Sequence, residues 1–544
     1  MPSNQVGTVT SDLGPVGAAG ESFSLYYLET TEDLGRPFRF EATLLADDDI
    51  EDKLQSLLGT EMCCAISLDL GDDSVRYFHG RVSRLVFNGF HGTKVRYQAV
   101  LRPWIWFLKH SSDNRVFQDK TVPEIIKEVF GDHGESVTDD LQGKYEQREY
   151  CVQYGETDFD FVSRLMEEEG IFYYFRHEKS KYDLVLADSD STHKKFKSFE
   201  TIRYLPPEAE TSELTNFISR IEDSYQVDTN AVALQSYNYE KPSTDLEART
   251  VNSIAGDKSK GELYEYGSLY KEGKKGEAAS KVRLQQQKAR YRLLSASGPV
   301  KGVCAGYLIE LADAPLKNLN KEYLVISTRV EFQNNELDSG LGGDGVHFSC
   351  LFRAIPSKSA FRSPRYTPKA VVRGPQTAVV VGPKGDDIYT DEFGRVKVQF
   401  HWDRKGEKNE NSSCMVRVST AIAGSSWGMV SIPRIGQEVI VDFLEGDPDQ
   451  PIIVGSVYND ENKVPYSLPD NMTQSGFKSR STDGKEGSGK PKNFNEIRFE
   501  DKKDNEEIFI QAEKDFKRVV KNNDVLQVGL QSSDVKDGVG DQTI

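Results

Sequence analysis

The sequence is poor in the residues that mark several common protein classes. Only 6 of its 544 residues are cysteine. Cys63 and Cys64 are adjacent, the other four are scattered, and no C-x-x-C spacing occurs. The pattern excludes a disulfide framework and disfavours zinc ribbons and thioredoxin-like redox sites. We expect the six thiols to stay reduced.

Long apolar runs are also missing. The longest obvious run, at residues 378–381, has the size of a strand, whereas a helix needs roughly 18 apolar residues to cross a bilayer. The first 20 residues lack the basic segment and the apolar core of a secretory signal. We therefore expect no transmembrane helix, no stable membrane anchoring, and synthesis in the cytoplasm without a signal peptide. Export would then need a dedicated apparatus.

Positive charge is scarce relative to negative charge. The chain has 68 Lys and Arg against 86 Asp and Glu, a net charge of -18. Such a surface repels phosphate backbones and anionic lipid headgroups, so nucleic acid is not an expected partner. Bulky apolar residues are plentiful, with 28 Phe and 24 Tyr. This composition predicts a folded chain, and its length predicts two to four domains.

Residues 1–373 are predicted to form a large α+β region, mostly strand, in two related lobes. Two helices are well marked. Thr121 and Glu124 form a capping box for the first, which Gly131 is expected to close, and Thr157 caps a second that stops at Gly170. Alternation or apolar runs predict the other elements: a short helix at 50–58, a long helix at 276–296, strands at 23–30, 38–46, 93–104, 171–176, 182–187 and 230–240, and three strands within 303–353.

Residues 374–460 change character. Six short apolar segments, TAVVVG, RVKVQFHWD, CMVRVST, GMVSIP, EVIVDFL and PIIVGSVYN, are separated by Gly, Pro, Asp and Asn. This spacing predicts a small closed β-barrel of the oligonucleotide/oligosaccharide-binding (OB) type. Residues 461–493 are rich in Ser, Gly, Lys and Asp and are predicted to be a polar linker.

Residues 494–544 combine strand-period apolar pairs with a very high density of charge. One chain of this kind cannot bury its own apolar stripe, but three identical chains wound together can point it at a shared axis. The sequence therefore predicts the start of a trimeric β-helix. The candidate residues of the trimer core are Ile497, Phe499, Ile508, Ile510, Val525 and Val528.

Three short motifs suggest catalysis or nucleotide binding, but their contexts argue against each one. Residues 424–428 match G-x-S-x-G, yet no histidine follows Ser426 in the chain, so a barrel turn is predicted. Gly340, Gly342 and Gly345 match G-x-G-x-x-G, but a strand follows where a dinucleotide site needs a helix. Residues 484–490 resemble a P-loop, but Pro491 stands where a magnesium-binding hydroxyl belongs.

Other polar clusters also favour a structural interpretation. His401 and Cys414 are too few for a metal site. Residues 167–169, three glutamates, are predicted to be a solvated helix end, and residues 444–451 a turn. Five histidines in the first region share no spacing and are expected to be core or surface residues: His79, His91, His110, His133 and His177. No catalytic residue, cofactor or metal is predicted.

Longer strings carry a family resemblance. VGPKGDDIYTDEFGRVKVQFHWDRKGEKNENSSCMVRVST, AGSSWGMVSIPRIGQEVIVDFLEGDPDQPIIVGSVYN and NEIRFEDKKDNEEIFIQAEKD resemble the VgrG family of type VI secretion spikes. In the first half, FRFEATLLADD, FHGRVSRL and YCVQYGETDFDFVSRLMEEEGIFYYFRHE agree. The similarity covers nearly the whole chain, and these strings are far more specific than the short motifs.

The resemblance implies a fold and a set of partners. The fold would be mainly β, with α+β hub lobes, β-barrel hub domains, an OB-fold barrel and the start of an intertwined triple-stranded β-helix. The hub of a homotrimer would form a pseudo-hexameric ring on the Hcp tube hexamer. A PAAR-type tip protein and effectors would bind at the needle end, and sheath contraction would drive puncture and export by type VI secretion.

Two alternatives remain beside the spike. In the first, the OB barrel binds an oligonucleotide or oligosaccharide, but residues 374–460 have more acidic than basic residues, the opposite of a single-strand binder. In the second, the histidines of the first region belong to an enzyme active site. Hydrolysis of peptidoglycan or lipid by the purified chain would support the second alternative.

Overall fold

The chain folds into two compact units, each made mostly of strands. The computed structural model describes residues 7–11, 23–47, 50, 54–68, 74–206, 216–252, 260–267, 270–337, 345–482 and 493–526. The first unit comprises residues 1–376, 401–406 and 442–452, and the second comprises 377–400, 407–441 and 453–544.

The helices of the described residues are few and short. They are α1 (Leu54–Leu57), α2 (Trp104–Phe107), α3 (Val122–Asp132), α4 (Asp158–Glu169) and α5 (Gly273–Lys288). None of the described helices has the length and hydrophobicity needed to cross a bilayer.

The first half of the large sheet is a closed barrel of six antiparallel strands. Around the barrel they are Gly7–Ser11, Glu61–Ser67, Val75–His91, Lys94–Arg102, Arg39–Ala46 and Ser24–Asp33. The last strand pairs back to the first through Ser24 and Thr8, which closes the ring. Closure leaves no free sheet edge, and side chains such as Phe40, Phe78 and Tyr97 are fully buried.

The second half of the large sheet closes in the same way. Its strands are Arg220–Tyr225, Arg292–Gly298, Val346–Pro356, Glu322–Asn334, Leu308–Ala312 and Thr201–Arg203, the last pair being parallel. The Ile218 N–H donates to the Arg203 carbonyl at 2.9 Å and closes this ring. Pairing between Ser24–Asp33 and Glu322–Asn334 joins the two rings edge to edge. The large sheet therefore consists of two linked rings of strands, each closed on itself.

Smaller sheets complete the first unit. They are Ser112–Phe117 with Cys151–Thr157, Lys120–Thr121 with Gln147–Arg148, Thr138–Asp139 with Tyr182–Ala187 and Phe172–His177, and Ala248–Val251 with Ala231–Gln235 and Glu262–Tyr266. The last sheet packs on α5 through buried Val232, Leu234 and Leu284.

Five strands between residues 376 and 457 form a small barrel. Their order is Lys397–Phe400, Gln376–Val381, Glu438–Phe443, Pro451–Val457 and Arg417–Val418. Val396 and Val416 exchange both backbone hydrogen bonds and close it. One predicted strand is wrong. GMVSIP is not a strand in the described chain, since residues 423–428 form a separate hairpin, Ala423–Gly424 with Trp427–Gly428.

The two capped helices confirm the sequence prediction at their first turns. In α3 the Thr121 hydroxyl accepts from the Glu124 N–H while the Glu124 carboxylate accepts from the Thr121 N–H. Helix α4 ends at Gly170 in the left-handed conformation. The predicted stop of α3 at Gly131 is wrong, because the helix continues to Asp132 and Gly134 takes the left-handed conformation.

Gly170 and Gly134 provide a matched pair of substitutions. Both have positive φ, 72° and 73°, but a Cβ on Gly170 would lie 2.6 Å from Val282 Cγ1, whereas a Cβ on Gly134 meets nothing within 4 Å. We expect Gly134→Ala to cost about 1–2 kcal/mol from backbone strain alone. Gly170→Ala should cost about 1–3 kcal/mol more from overpacking. Denaturant unfolding of both variants measures the difference, and equal costs would contradict the predicted clash.

The predicted long helix at 276–296 is wrong at its C-terminal end. Helix α5 stops at Lys288, and Arg292–Gly298 is a strand. That strand lies between Arg220–Tyr225 and Val346–Pro356 and hydrogen-bonds to both. Two long-range ladders therefore outweigh the local helix propensity of the segment.

The glutamates at the end of α4 are not a solvated helix end, so that interpretation was wrong. Glu167 is buried and accepts the N–H groups of Tyr366 at 3.0 Å and Thr367 at 2.9 Å. Glu168 pairs with Arg148 at 2.8 Å. Burial alone would raise the pKa of Glu168, but the positive charges of Arg148, Arg164 and Lys369 lower it below its usual value. These two carboxylates therefore attach the end of α4 to other segments of the first unit.

The side chain of Arg164, which also lies in α4, is almost completely buried, with 1% of it exposed. Its guanidinium forms two hydrogen bonds to the Glu156 carboxylate, at 2.6 and 2.9 Å, and one to the Val152 carbonyl at 2.8 Å. Such paired geometry offsets much of the desolvation cost of a buried ion pair. Arg164 therefore attaches α4 to the strand Cys151–Thr157.

The predicted turn at residues 444–451 is present, but two of its acidic residues form ion pairs with the same lysine. Lys369 lies 2.7 Å from both Asp447 and Asp449. The other oxygen of Asp449 accepts the Val152 N–H at 2.7 Å. These contacts therefore join the turn to other segments of the first unit.

Candidate functional site

The last three strands form a sheet of their own, which we call the distal sheet. They are Gln474–Lys478, Glu496–Glu500 and Glu507–Gln511, paired antiparallel in this order. The first lies in the segment predicted to be a polar linker, so the sequence analysis did not anticipate it. The other two follow the alternation of Ile and Phe with charged residues that favours strands.

The register of the distal sheet places its apolar side chains on one face. Ile497 lies opposite Ile510, Phe499 opposite Ile508, and Phe477 opposite Ile497. Residues opposite each other in antiparallel strands, and residues two apart in one strand, point to the same side. We call this set the apolar face: Phe477, Ile497, Phe499, Ile508 and Ile510.

The apolar face is uncovered in the single chain. Its side chains are among the exposed large hydrophobic residues, with Ile508 at 68% and Ile497 at 47% exposure. A three-stranded sheet needs a packed apolar face for independent stability. A contiguous exposed patch of this kind marks a site of association.

The opposite face of the distal sheet is polar and internally paired. Arg498 forms an ion pair with Glu507 at 2.9 Å, and its guanidinium lies 4.8 Å from the ring centroid of Phe509. Glu496 is buried and lies 3.8 Å from Lys478. Opposite charges therefore pair on one side of the sheet, while apolar side chains are exposed on the other side.

The structure brings together four of the six predicted core residues. Ile497, Phe499, Ile508 and Ile510 share the apolar face. Val525 is exposed beyond the last strand, and Val528 lies outside the described residues. Phe477 was missed because it stands alone in a Ser- and Gly-rich segment with no apolar partner two residues away, so local sequence carried no strand signal.

The first strand of the distal sheet is anchored just after it ends. The Asp387 carboxylate accepts from Arg434 at 2.6 Å and also pairs with Arg480. Arg434 donates in addition to the Arg480 carbonyl at 2.6 Å. These contacts lie within the second unit and fix where the chain leaves Gln474–Lys478.

The short motifs lie in structures unsuited to the chemistry they suggest. Residues 424–428 form the exposed hairpin rather than a barrel turn, and the described segment that follows, 429–443, contains no helix to support a nucleophile. Gly345 directly precedes the strand Val346–Pro356, as predicted. Gly340, Gly342 and the P-loop-like segment lie outside the described residues. Across the described ranges, no cluster of His, Cys, Asp and Glu could hold a metal ion.

The cysteines of the described chain are free thiols. Burial raises the pKa of Cys63 and of Cys151 to about 12. Both thiols are therefore kept protonated and unreactive at neutral pH.

Four of the five histidines singled out from the sequence fall into two pairs. His177 Nδ1 accepts the backbone N–H of His79 at 3.2 Å, and its Nε2 lies 3.5 Å from buried Glu32. His110 and His133 line a polar cavity of about 480 Å³. His91 instead packs its ring against Tyr26.

The cavity is lined by charges that pair with each other. His133 lies 2.8 Å from Asp158, Arg404 lies 2.7 Å from Asp113, and Arg115 pairs with Asp132. Gln153 donates to the second oxygen of Asp158 at 2.7 Å. These contacts join loops and strands of the first unit. The apolar face of the distal sheet is therefore the stronger candidate for function.

Three family models match consecutive parts of the chain. Residues 31–336 match the phage tail baseplate hub (GPD) family. Residues 377–458 match the type VI secretion system/phage-baseplate injector OB domain. Residues 475–542, which include all of the distal sheet except Gln474, match the bacteriophage T4 gp5 C-terminal trimerisation domain. The predicted fold class is thereby confirmed.

Relatives and solved structures agree with these matches. The type VI secretion system spike protein VgrG1b of Pseudomonas aeruginosa is 45% identical over 516 residues, which cover 95% of this chain and 68% of that protein. An E. coli type VI secretion component, c3393, shares the fold with a TM-score of 0.57 at 19% identity, over 83% of this chain and 100% of its own. A Francisella PdpA–VgrG complex gives 0.59 at 10% identity, over 93% and 81%.

Proposed function

Because this chain belongs to the VgrG family of type VI secretion spike proteins, we propose that it works as a homotrimer whose three copies meet through the apolar face. The observation that carries the proposal is the exposure of Ile497, Phe499, Ile508 and Ile510 on one side of a sheet whose other side is ion-paired. Three copies can bury this face around a common axis.

Burial of the apolar face between chains would also determine the mechanical properties of the trimeric β-helix, which we call the needle. When strands of three chains wind together, their backbone groups pair between chains and no sheet edge remains free. The charged residues then face solvent, and the apolar residues fill the axis. A rod of this construction resists compression along its length, which suits a component that punctures an envelope when a sheath contracts.

The two linked barrels of the first unit support a second part of the proposal. Three copies would contribute six barrels, and six barrels match the symmetry of an Hcp hexamer. We place the Hcp tube at this N-terminal hub. The match of residues 31–336 to a phage baseplate hub supports the placement.

The far end of the needle is the proposed site for a PAAR-type tip protein and for effectors. A Francisella relative has been solved as a PdpA–VgrG complex, which supports partner binding by this fold. In this proposal the chain itself is structural, without catalysis or cofactor. It is made in the cytoplasm and leaves by type VI secretion.

The solution mass tests the proposed trimer directly. We expect light scattering coupled to size-exclusion chromatography to give about three times the 61.2 kDa of one chain. The measurement needs a high protein concentration because assembly follows mass action. A mass of one chain across a concentration series up to the solubility limit would contradict the proposal.

A further inference from the structure

A second exposed apolar element lies in the second unit, at residues 420–433, which we call the arm. Its hairpin is ordered. Met429 donates its N–H to the Ile422 carbonyl at 3.0 Å, and the Thr420 hydroxyl donates to the Met429 carbonyl at 2.6 Å. The Trp427 indole lies so close to Gly424 that a Cβ there would fall 2.3 Å from it. The arm therefore has a defined shape before it meets any partner.

The arm is exposed although it carries several large apolar side chains. Every residue from 419 to 431 is exposed, including Ile422 and Met429, with Trp427 at 67% and Val430 at 82%. Residues 418–433 contain no charged side chain, in a chain that is 28% charged. Depletion of charge together with Trp and Met is the signature of the buried centre of an interface.

The backbone of the arm is also incompletely paired. GMVSIP has the sequence pattern of a strand, yet residues 430–432 belong to no strand. Among the described residues, the N–H groups of Val430 and Ser431 find no backbone acceptor. A strand-like segment without a partner in its own chain is suited to pair with another chain.

The C-terminal end of the arm is held next to the distal sheet. Pro433 is followed by Arg434, which bonds to Asp387 and to the carbonyl of Arg480. Arg480 lies two residues after the first strand of the distal sheet. The base of the arm and the end of that strand therefore share one anchor, which places the base of the arm beside the proposed contact between copies. An uncharged arm also avoids the repulsion expected between copies of net charge -18.

We infer that the arm docks on a neighbouring copy of this chain. Trp427 and Val430 are then buried between copies, and the backbone at 430–431 pairs with that copy. The inference rests on the proposed trimer and adds a second contact to it, outside the distal sheet.

A matched pair of full-length variants tests the arm. Val430→Lys places a charge in the proposed contact. Val227→Lys places the same charge at a valine of similar exposure, 85% against 82%, in the first unit. Sedimentation equilibrium in a guanidinium series should show the trimer of Val430→Lys dissociating at least about tenfold more readily than the unmodified trimer, as loss of an interface centre does. Val227→Lys should match the unmodified chain.

Photo-cross-linking provides a second readout that does not depend on stability. With p-benzoylphenylalanine in place of Trp427, illumination of the purified full chain should give covalent dimers and trimers on denaturing gels. If the unmodified chain is a trimer, unaffected dissociation of Val430→Lys together with cross-links confined to one chain would overturn this inference alone. If the unmodified chain is a monomer, the proposed trimer fails as well.

Discussion

Lysine at both Ile497 and Ile510 is expected to leave this protein as single chains in solution. The two isoleucines face each other across neighbouring strands, so the proposed trimer would bring six ammonium groups to its axis. Losing the burial of one isoleucine costs about 1.5–3 kcal/mol, and burying an unpaired charge adds several kcal/mol more. Light scattering at matched concentration should show the mass fall from three chains to one.

The control for this double variant is Gln474→Lys with Gln511→Lys. It adds the same two charges to the same sheet, but both positions lie on the opposite, ion-paired face. We expect the control to remain trimeric, and circular dichroism should show both proteins folded. Trimeric mass for the Ile497/Ile510 double variant, or dissociation of both proteins alike, would count against the apolar face as the contact.

Replacing Arg164 with methionine is expected to destabilise the first unit by about 3–5 kcal/mol, because it removes one partner of a buried ion pair. The Glu156 carboxylate would lose both of its hydrogen bonds to the guanidinium, and the Val152 carbonyl would lose its own. Three of the four tryptophans, Trp104, Trp106 and Trp402, belong to the first unit. Denaturant unfolding followed by tryptophan fluorescence should therefore report mainly on this unit.

Arg203→Met provides the comparison for Arg164. Arg203 also forms an ion pair, with Asp313 at 2.5 Å, but 72% of its side chain is exposed. Exposed pairs contribute roughly 0–1 kcal/mol, so we expect little change in the free energy of unfolding. A similar loss for both variants would mean that burial does not set the strength of the Arg164 pair.

Several elements could be predicted from the sequence because the residues that define them are close together in the chain. The capping box of Thr121 and Glu124 and the stop at Gly170 depend on residues within one turn of the helix end, and both are present in the structure. Strict alternation likewise located Ser24–Asp33, Arg39–Ala46 and Lys94–Arg102. In each of these segments local propensity and the final fold favour the same conformation.

Long-range pairing explains the elements that the sequence analysis placed wrongly or missed. Arg292–Gly298 continues a helix-favouring segment, but it becomes a strand because two distant strands flank it. Gln474–Lys478 is a strand only because Glu496–Glu500 offers a ladder. Glu167 is buried because the chain near Tyr366, about 200 residues later, covers it. No local pattern encodes such neighbours.

The sequence by itself determined the mainly β architecture, the family, and the alternation that puts Ile497, Phe499, Ile508 and Ile510 on one face. Periodicity and family-specific strings are properties of the chain, so they need no coordinates. Only the tertiary structure decided that this face is exposed in a single chain, that Phe477 joins it, that residues 419–431 are exposed, and that Glu167 of α4 is buried. Exposure and ion pairing depend on which distant segments come into contact, and these contacts form when the chain folds.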